Sequence, residues 1–234
     1  MSPAHPRHAK TRPFPSRMCW VHARKGDQSN APFTQLTASR REREQKAVGR
    51  ETVYIGFGSN QGDRLDYCDR AVTLLGLLPH SQLMAVSSVY ETEPVVDERT
   101  NPGAGLFLNG VVCVETDIAP NSLLVVCREI EQALGRDHDL RLGPRTLDLD
   151  LLFYGSRIVH ESGLIVPHPR LHLRRFVLEP MVELDPEWKH PQLGATVQEL
   201  LARLPPGPAV RRLAPQPHSR YGSRPGCGTS PPAV

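Results

Sequence analysis

The sequence predicts an α+β fold: a ferredoxin-like βαββαβ sandwich with extra short helices, flanked by disordered tails. Two observations lead there. Between residues 51 and 204, stretches of strand-like and helix-like period follow one another as strand, helix, strand, strand, helix, strand. On either side of that span the hydrophobic period disappears, and proline and basic residues take over.

Each element has a local reason. Thr52 to Gly58 (TVYIGFG) is an apolar, β-branched and aromatic run that ends in the turn formers Gly58, Ser59, Asn60 and Gly62, so it reads as a buried strand. Asp63 can cap a helix whose apolar positions Leu65, Ala71, Leu74, Leu75 and Leu78 recur near 3.6 residues and stop at Pro79. Leu83 to Tyr90 alternates as a second strand, and Phe107 to Glu115 supplies a third. Pro120 to Leu134 is an amphipathic helix with proline in its first turn and Gly135 at its stop. Thr146 to Tyr154 is the fourth strand, and Phe176 to Leu184 and Val197 to Leu204 are short covering helices.

Charge divides the chain in the same places. Residues 1–50 hold 11 Lys and Arg against 3 acids, a balance of +8, and residues 205–234 hold four Arg and no acid. The middle therefore carries −9 within a total of +3. Residues 1–50 and 205–234 are expected to be disordered, because neither buries enough apolar surface to offset the entropy of ordering. No signal-peptide core follows the basic start, and the early prolines oppose the amphipathic helix of a transit peptide. No apolar run approaches the roughly 20 residues needed to cross a bilayer. Five scattered cysteines without a C-x-x-C pair suggest neither a disulfide framework nor a zinc site, and fit a reducing cytoplasm.

The chemistry concentrates in Arg136 to Tyr154, RDHDLRLGPRTLDLDLLFY. On a strand, Asp148 and Asp150 point to one face and Leu147, Leu149 and Leu151 to the other. Two neighbouring anions need a positive partner, and hard oxygen donors without His or Cys favour Mg²⁺. The alternative is an exposed edge, or pairing with Arg145. Arg136, Arg141 and Arg145 lie just upstream, and guanidinium forks suit phosphate oxygens as well as the nearby acids. Gly56, Gly58 and Gly62 do not make a dinucleotide fingerprint, because Gln61 takes the third glycine position. There is no G-x-x-x-x-G-K-[ST] loop and no G-x-S-x-G elbow, and His168 with His172 is a poor zinc pair because Pro169 interrupts it.

Five segments resemble one family in order and spacing: YIGFGSNQGDR (Tyr54 to Arg64), SSVYETEP (Ser87 to Pro94), FLNGVV (Phe107 to Val112), GPRTLDLDLLFYG (Gly143 to Gly155) and VPHPRLHLRRFVLEPMVEL (Val166 to Leu184). The sequence is similar to the 6-hydroxymethyl-7,8-dihydropterin pyrophosphokinases of folate biosynthesis. That resemblance implies an ATP-dependent diphosphokinase, in which the pterin hydroxymethyl oxygen attacks the β-phosphorus of ATP and AMP leaves. It implies two Mg²⁺ ions held by Asp148 and Asp150, with Arg136 and Arg145 on the transferring phosphates. It further implies Glu131, His168 and Arg174 on the nucleotide, and Thr92, Val95, Phe107, Asn109 and Phe176 around the pterin. ATP and the pterin are then the expected partners, for a cytoplasmic monomer that binds no nucleic acid and no membrane. Departures from the family pattern are a shortened loop between Arg136 and Gly143, with His138 and Leu142 at positions often arginine and aromatic, and Pro169 and Glu93 as replacements elsewhere. The rival readings are a metal-dependent phosphoesterase using the same carboxylates on water, and a nucleic-acid module encouraged by the basic tails but opposed by the acidic middle.

Overall fold

The computed structural model describes residues 49–94, 105–136, 145–207 and 209–213. Strand β1 (Glu51–Ser59) leads into helix α1 (Arg64–Gly76), where the Asp63 side chain accepts a hydrogen bond from the Asp66 amide. Then come β2 (Ser81–Val86), β3 (Tyr90–Thr92) and β4 (Phe107–Thr116). Helix α2 (Pro120–Ala133) precedes β5 (Asp148–Tyr154). A hairpin of β6 (Val159–Glu161) and β7 (Leu164–Val166), then α3 (Arg175–Leu184), α4 (Val197–Arg203) and β8 (Val210–Arg212), complete the order.

The main sheet runs β5-β1-β4-β3-β8, with β2 also pairing to β4, and every neighbouring pair is antiparallel. The α+β class follows. One face packs Val53, Ile55, Phe57, Leu149 and Leu151 against Ala71 and Leu75 of α1 and Leu123 and Ile130 of α2. The other packs Tyr54, Val111, Leu152 and Phe153 against Val177, Leu178 and Met181 of α3 and Leu200 of α4. On that second face the Tyr54 hydroxyl donates to Asp185 at 3.0 Å.

Three differences from the sequence reading have local causes. The strand expected over Leu83 to Tyr90 is two strands, because the Ser87 hydroxyl accepts from the Val111 amide at 2.9 Å and interrupts the ladder. The fourth strand starts at Asp148 rather than Thr146. The tail expected to be disordered from Pro205 instead lays Val210–Arg212 along β3, where its backbone groups find the partners that β3 leaves open on that side. Cys68, Cys113 and Cys127 are buried, and no helix among the described residues is long and apolar enough to cross a membrane.

Candidate active site

The register of β1 organises the site. Gly58 pairs with Asp148 on one side and Asn109 on the other, and Gly56 pairs with Asp150 and Val111. Paired residues of antiparallel strands share a face, so both acids and Asn109 rise from the same side of the sheet. Asp148 and Asn109 stand two strands apart, about 10 Å, with a glycine between them. That glycine is required: a Cβ on Gly58 would lie 2.7 Å from Asn109 Oδ1, whereas one on Gly56 meets only Leu152 at 3.5 Å. The G-x-G of β1 therefore makes a side-chain-free floor between carboxylates and amide.

Charges close around that floor. Both Arg136 and Arg145 donate from Nη1 to the Asp148 carboxylate, so for Asp148 the pairing alternative is the geometry found. Arg136 also donates to Glu131. Asp150 is 39% exposed at its side chain and meets Arg174 Nη1 at 3.4 Å. Burial, and then the Asp148 charge, lift the Asp150 carboxyl above the usual range. His168 Nε2 lies 4.0 Å from Asp150 Oδ2, while Nδ1 accepts the Arg170 amide at 3.2 Å. Nε2 is thus the protonated nitrogen and faces the site. Burial, followed by Arg174 and Arg170, pushes His168 down to about 4, which keeps it neutral.

Glu131 plays a structural part the sequence did not suggest. Buried on α2, its Oε1 accepts the Leu149 amide at 2.6 Å, the backbone donor between the two acids. Burial lifts its carboxyl to about 7. Across that floor from the acids, Asn109 Nδ2 donates to Thr92 Oγ1 at 2.7 Å, Phe107 is the register partner of Thr92, and the Arg174 guanidinium stacks 5.5 Å from the Phe176 ring centre. Val95, Arg141, His138 and Leu142 lie outside the described residues.

A groove of about 470 Å³ opens beside β5. Glu131, Arg136, Asp148, Asp150 and His168 line one part of it, and Leu124, Leu151, Leu164 and Ile165 give it an apolar part, with Arg128 and Glu161 also on the wall. Sequence reasoning missed the apolar part. Its β6-β7 hairpin has three residues per strand, too few to show a period.

Comparison with known proteins places this arrangement. A family model described as 7,8-dihydro-6-hydroxymethylpterin-pyrophosphokinase matches residues 54–186. The chain belongs to that family. It is 44% identical over 132 residues to the 2-amino-4-hydroxy-6-hydroxymethyldihydropteridine pyrophosphokinase of Bacillus subtilis, covering 56% of this chain and 77% of that protein. The Methylorubrum extorquens protein of the same name is 39% identical over 154 residues, covering 66% of this chain and 94% of its own length. The folic acid synthesis protein fol1 of Schizosaccharomyces pombe is 38% identical over 153 residues, 65% of this chain, which spans only 20% of that longer protein. Among solved structures, wild-type HPPK-DHPS of Plasmodium falciparum with SDX-DHP superposes with a TM-score of 0.53 at 15% identity, over 68% of this chain and 45% of that one. At that identity the likeness concerns the fold alone.

Proposed function

We propose that this protein transfers the pyrophosphoryl group of ATP to 6-hydroxymethyl-7,8-dihydropterin, giving AMP and the pterin diphosphate. The observation that carries the reading is the row Asn109, Gly58, Asp148, which sets an amide for a heterocycle and carboxylates for a triphosphate on one face, about 10 Å apart. Family membership and the same-named bacterial relatives supply the substrates. The strand order β5-β1-β4-β2, all antiparallel, supports a ferredoxin-like description of the sheet.

In this reading the apolar wall of the groove takes the nucleotide base and its charged part takes the phosphates. Asp148 and Asp150 offer only hard oxygen donors and would hold Mg²⁺, which suits them better than a softer metal. When bound, Mg²⁺ would neutralise charge on the phosphates. Arg136 and Arg145 occupy Asp148 in the free protein. Their planar forks match phosphate oxygens, so an incoming triphosphate draws them off and leaves Asp148 free. His168 presents Nε2–H as a neutral donor, and Arg174 adds a cation beside it. Phe107 and Phe176 stack the pterin, and Asn109, fixed by Thr92, reads its polar edge. The hydroxymethyl oxygen then forms its bond to the β-phosphorus and gives up its proton to solvent, as the bond from that phosphorus to the α-bridging oxygen breaks and AMP leaves. The protein acts on this step by positioning and charge.

The test is AMP release from ATP, Mg²⁺ and the hydroxymethyl-dihydropterin. Stoichiometric AMP and pterin diphosphate are expected. Phosphate release that ignores the pterin would establish the phosphoesterase instead, and no turnover would overturn the reading.

A further inference from the structure

β8 lies at the sheet edge opposite β5, and thus opposite the groove. It pairs Tyr90 with Arg212, Glu91 with Arg211 and Thr92 with Val210, and the Leu213 amide donates to Val89 O at 2.9 Å. Two charged webs extend from it. Arg211 Nη2 donates to Glu91 Oε2 at 2.6 Å, Arg64 Nη2 donates to Glu91 Oε1 at 3.1 Å, and Arg64 Nη1 reaches Leu106 O at 2.8 Å, next to Phe107. Arg212 donates to the Ser88 hydroxyl and to Glu183 Oε1, both at 2.9 Å. Glu183, on α3, also accepts the Ser88 amide at 3.0 Å, the Ser88 hydroxyl at 2.9 Å and the Tyr90 hydroxyl at 2.8 Å.

A three-residue strand with one open side has little stability of its own. Without β8, β3 would be such a strand, yet it carries Thr92, which holds Asn109 and pairs with Phe107. We propose that β8 is a clasp for the acceptor pocket, with Arg211 and Arg212 as positioning residues that fix Thr92, Asn109 and Phe107 without touching the substrate. The proposal rests on the pterin reading of those three residues. It is selective by geometry: β3 is three strands from β5, about 14 Å, so the nucleotide side is held by other contacts.

The test uses the full chain carrying Arg211→Ala with Arg212→Ala, compared with Arg211→Lys with Arg212→Lys. Loss of charged hydrogen bonds that act through the fold predicts a rise of roughly five- to tenfold in KM for the hydroxymethyl-dihydropterin. KM for ATP and kcat stay within about twofold of the parent, and amide exchange speeds up at Glu91 and Thr92. The lysine pair recovers part of the KM. Equal rises in both KM values mean general loosening and overturn the clasp, as does unchanged exchange in β3 or an unchanged pterin KM. Wild-type protein that turns over no pterin sinks the functional reading instead, and the exchange arm still decides whether Arg211 and Arg212 hold β3.

Discussion

Gly58 and Asn109 are register partners whose contact leaves no room for a methyl group, since a Cβ on the glycine would stand 2.7 Å from Asn109 Oδ1. Asn109 is buried and tied to Thr92, so it cannot step aside without losing that bond. Gly58→Ala is expected to lower stability by about 1–2 kcal/mol, the scale of a displaced buried hydrogen bond, and to weaken pterin affinity about tenfold or more. Gly56→Ala meets Leu152 at an ordinary 3.5 Å and should be much milder. Urea unfolding and pterin titration of the two variants check the contrast, and equal losses would refute it.

The two acids should part company when each is neutralised. Asp148→Asn takes the anion from Arg145 and leaves Arg136 with Glu131 alone, and should cost about 1–3 kcal/mol of stability. Asp150→Asn removes a charge that burial and Asp148 disfavour more than Arg174, at 3.4 Å, and the charges of Arg145 and Arg136 favour it, so its unfolding midpoint should rise. Both changes should cut pyrophosphoryl transfer by about 10³-fold. Thermal unfolding in chelator, run beside the activity assay, separates the two effects. A lower midpoint for Asp150→Asn would show that the carboxylate is better paired than its surroundings indicate.

Glu131 predicts a pH slope. Its folded carboxyl titrates near 7 rather than 4.5, so the native state keeps a proton that the unfolded chain has released. The Glu131 contribution to the unfolding free energy therefore falls as pH rises from about 4.5 through 7, by roughly 3 kcal/mol. Glu131→Gln keeps an oxygen for the Leu149 amide and for Arg136, and should remove this contribution from the curve. Denaturation midpoints from pH 4.5 to 8 give the comparison, and parallel curves would rule the assignment out.

The paired acids were legible because β5 is regular where they sit, and a period of two is enough to put Asp148 and Asp150 on one face. What faces them was not. That Gly56 and Gly58 lie opposite the acids is set by strand register, a property of pairing between segments some 90 residues apart. The same holds for Asp148, where sequence proximity suggested Arg145 but the fold also brings in Arg136 from the end of α2. The Ser87 break in the second strand depends on one hydroxyl replacing a ladder bond, which no hydrophobic pattern records. β8 was hidden by composition, since three residues among prolines look like tail until β3 offers them an edge.

His168 supplies the opposite slope. The Arg170 amide occupies Nδ1, and burial with two neighbouring arginines holds the ring near 4, so the native state refuses a proton that the unfolded chain takes up near 6.5. Stability contributed this way is complete above about pH 6.5 and is lost as pH falls toward 4. Glu131 and His168 thus pull the wild-type curve in opposite directions between about pH 4.5 and 6.5. Glu131→Gln should tilt it upward with rising pH and His168→Gln downward. Because His168 stays neutral, the pH profile of kcat/KM for ATP should show no break near 6.5 that depends on His168, while His168→Ala should raise KM for ATP about tenfold through loss of the Nε2–H donor. A break near 6.5 that vanishes in His168→Ala would mean the imidazolium is the working form, and the neutral-donor assignment would fall.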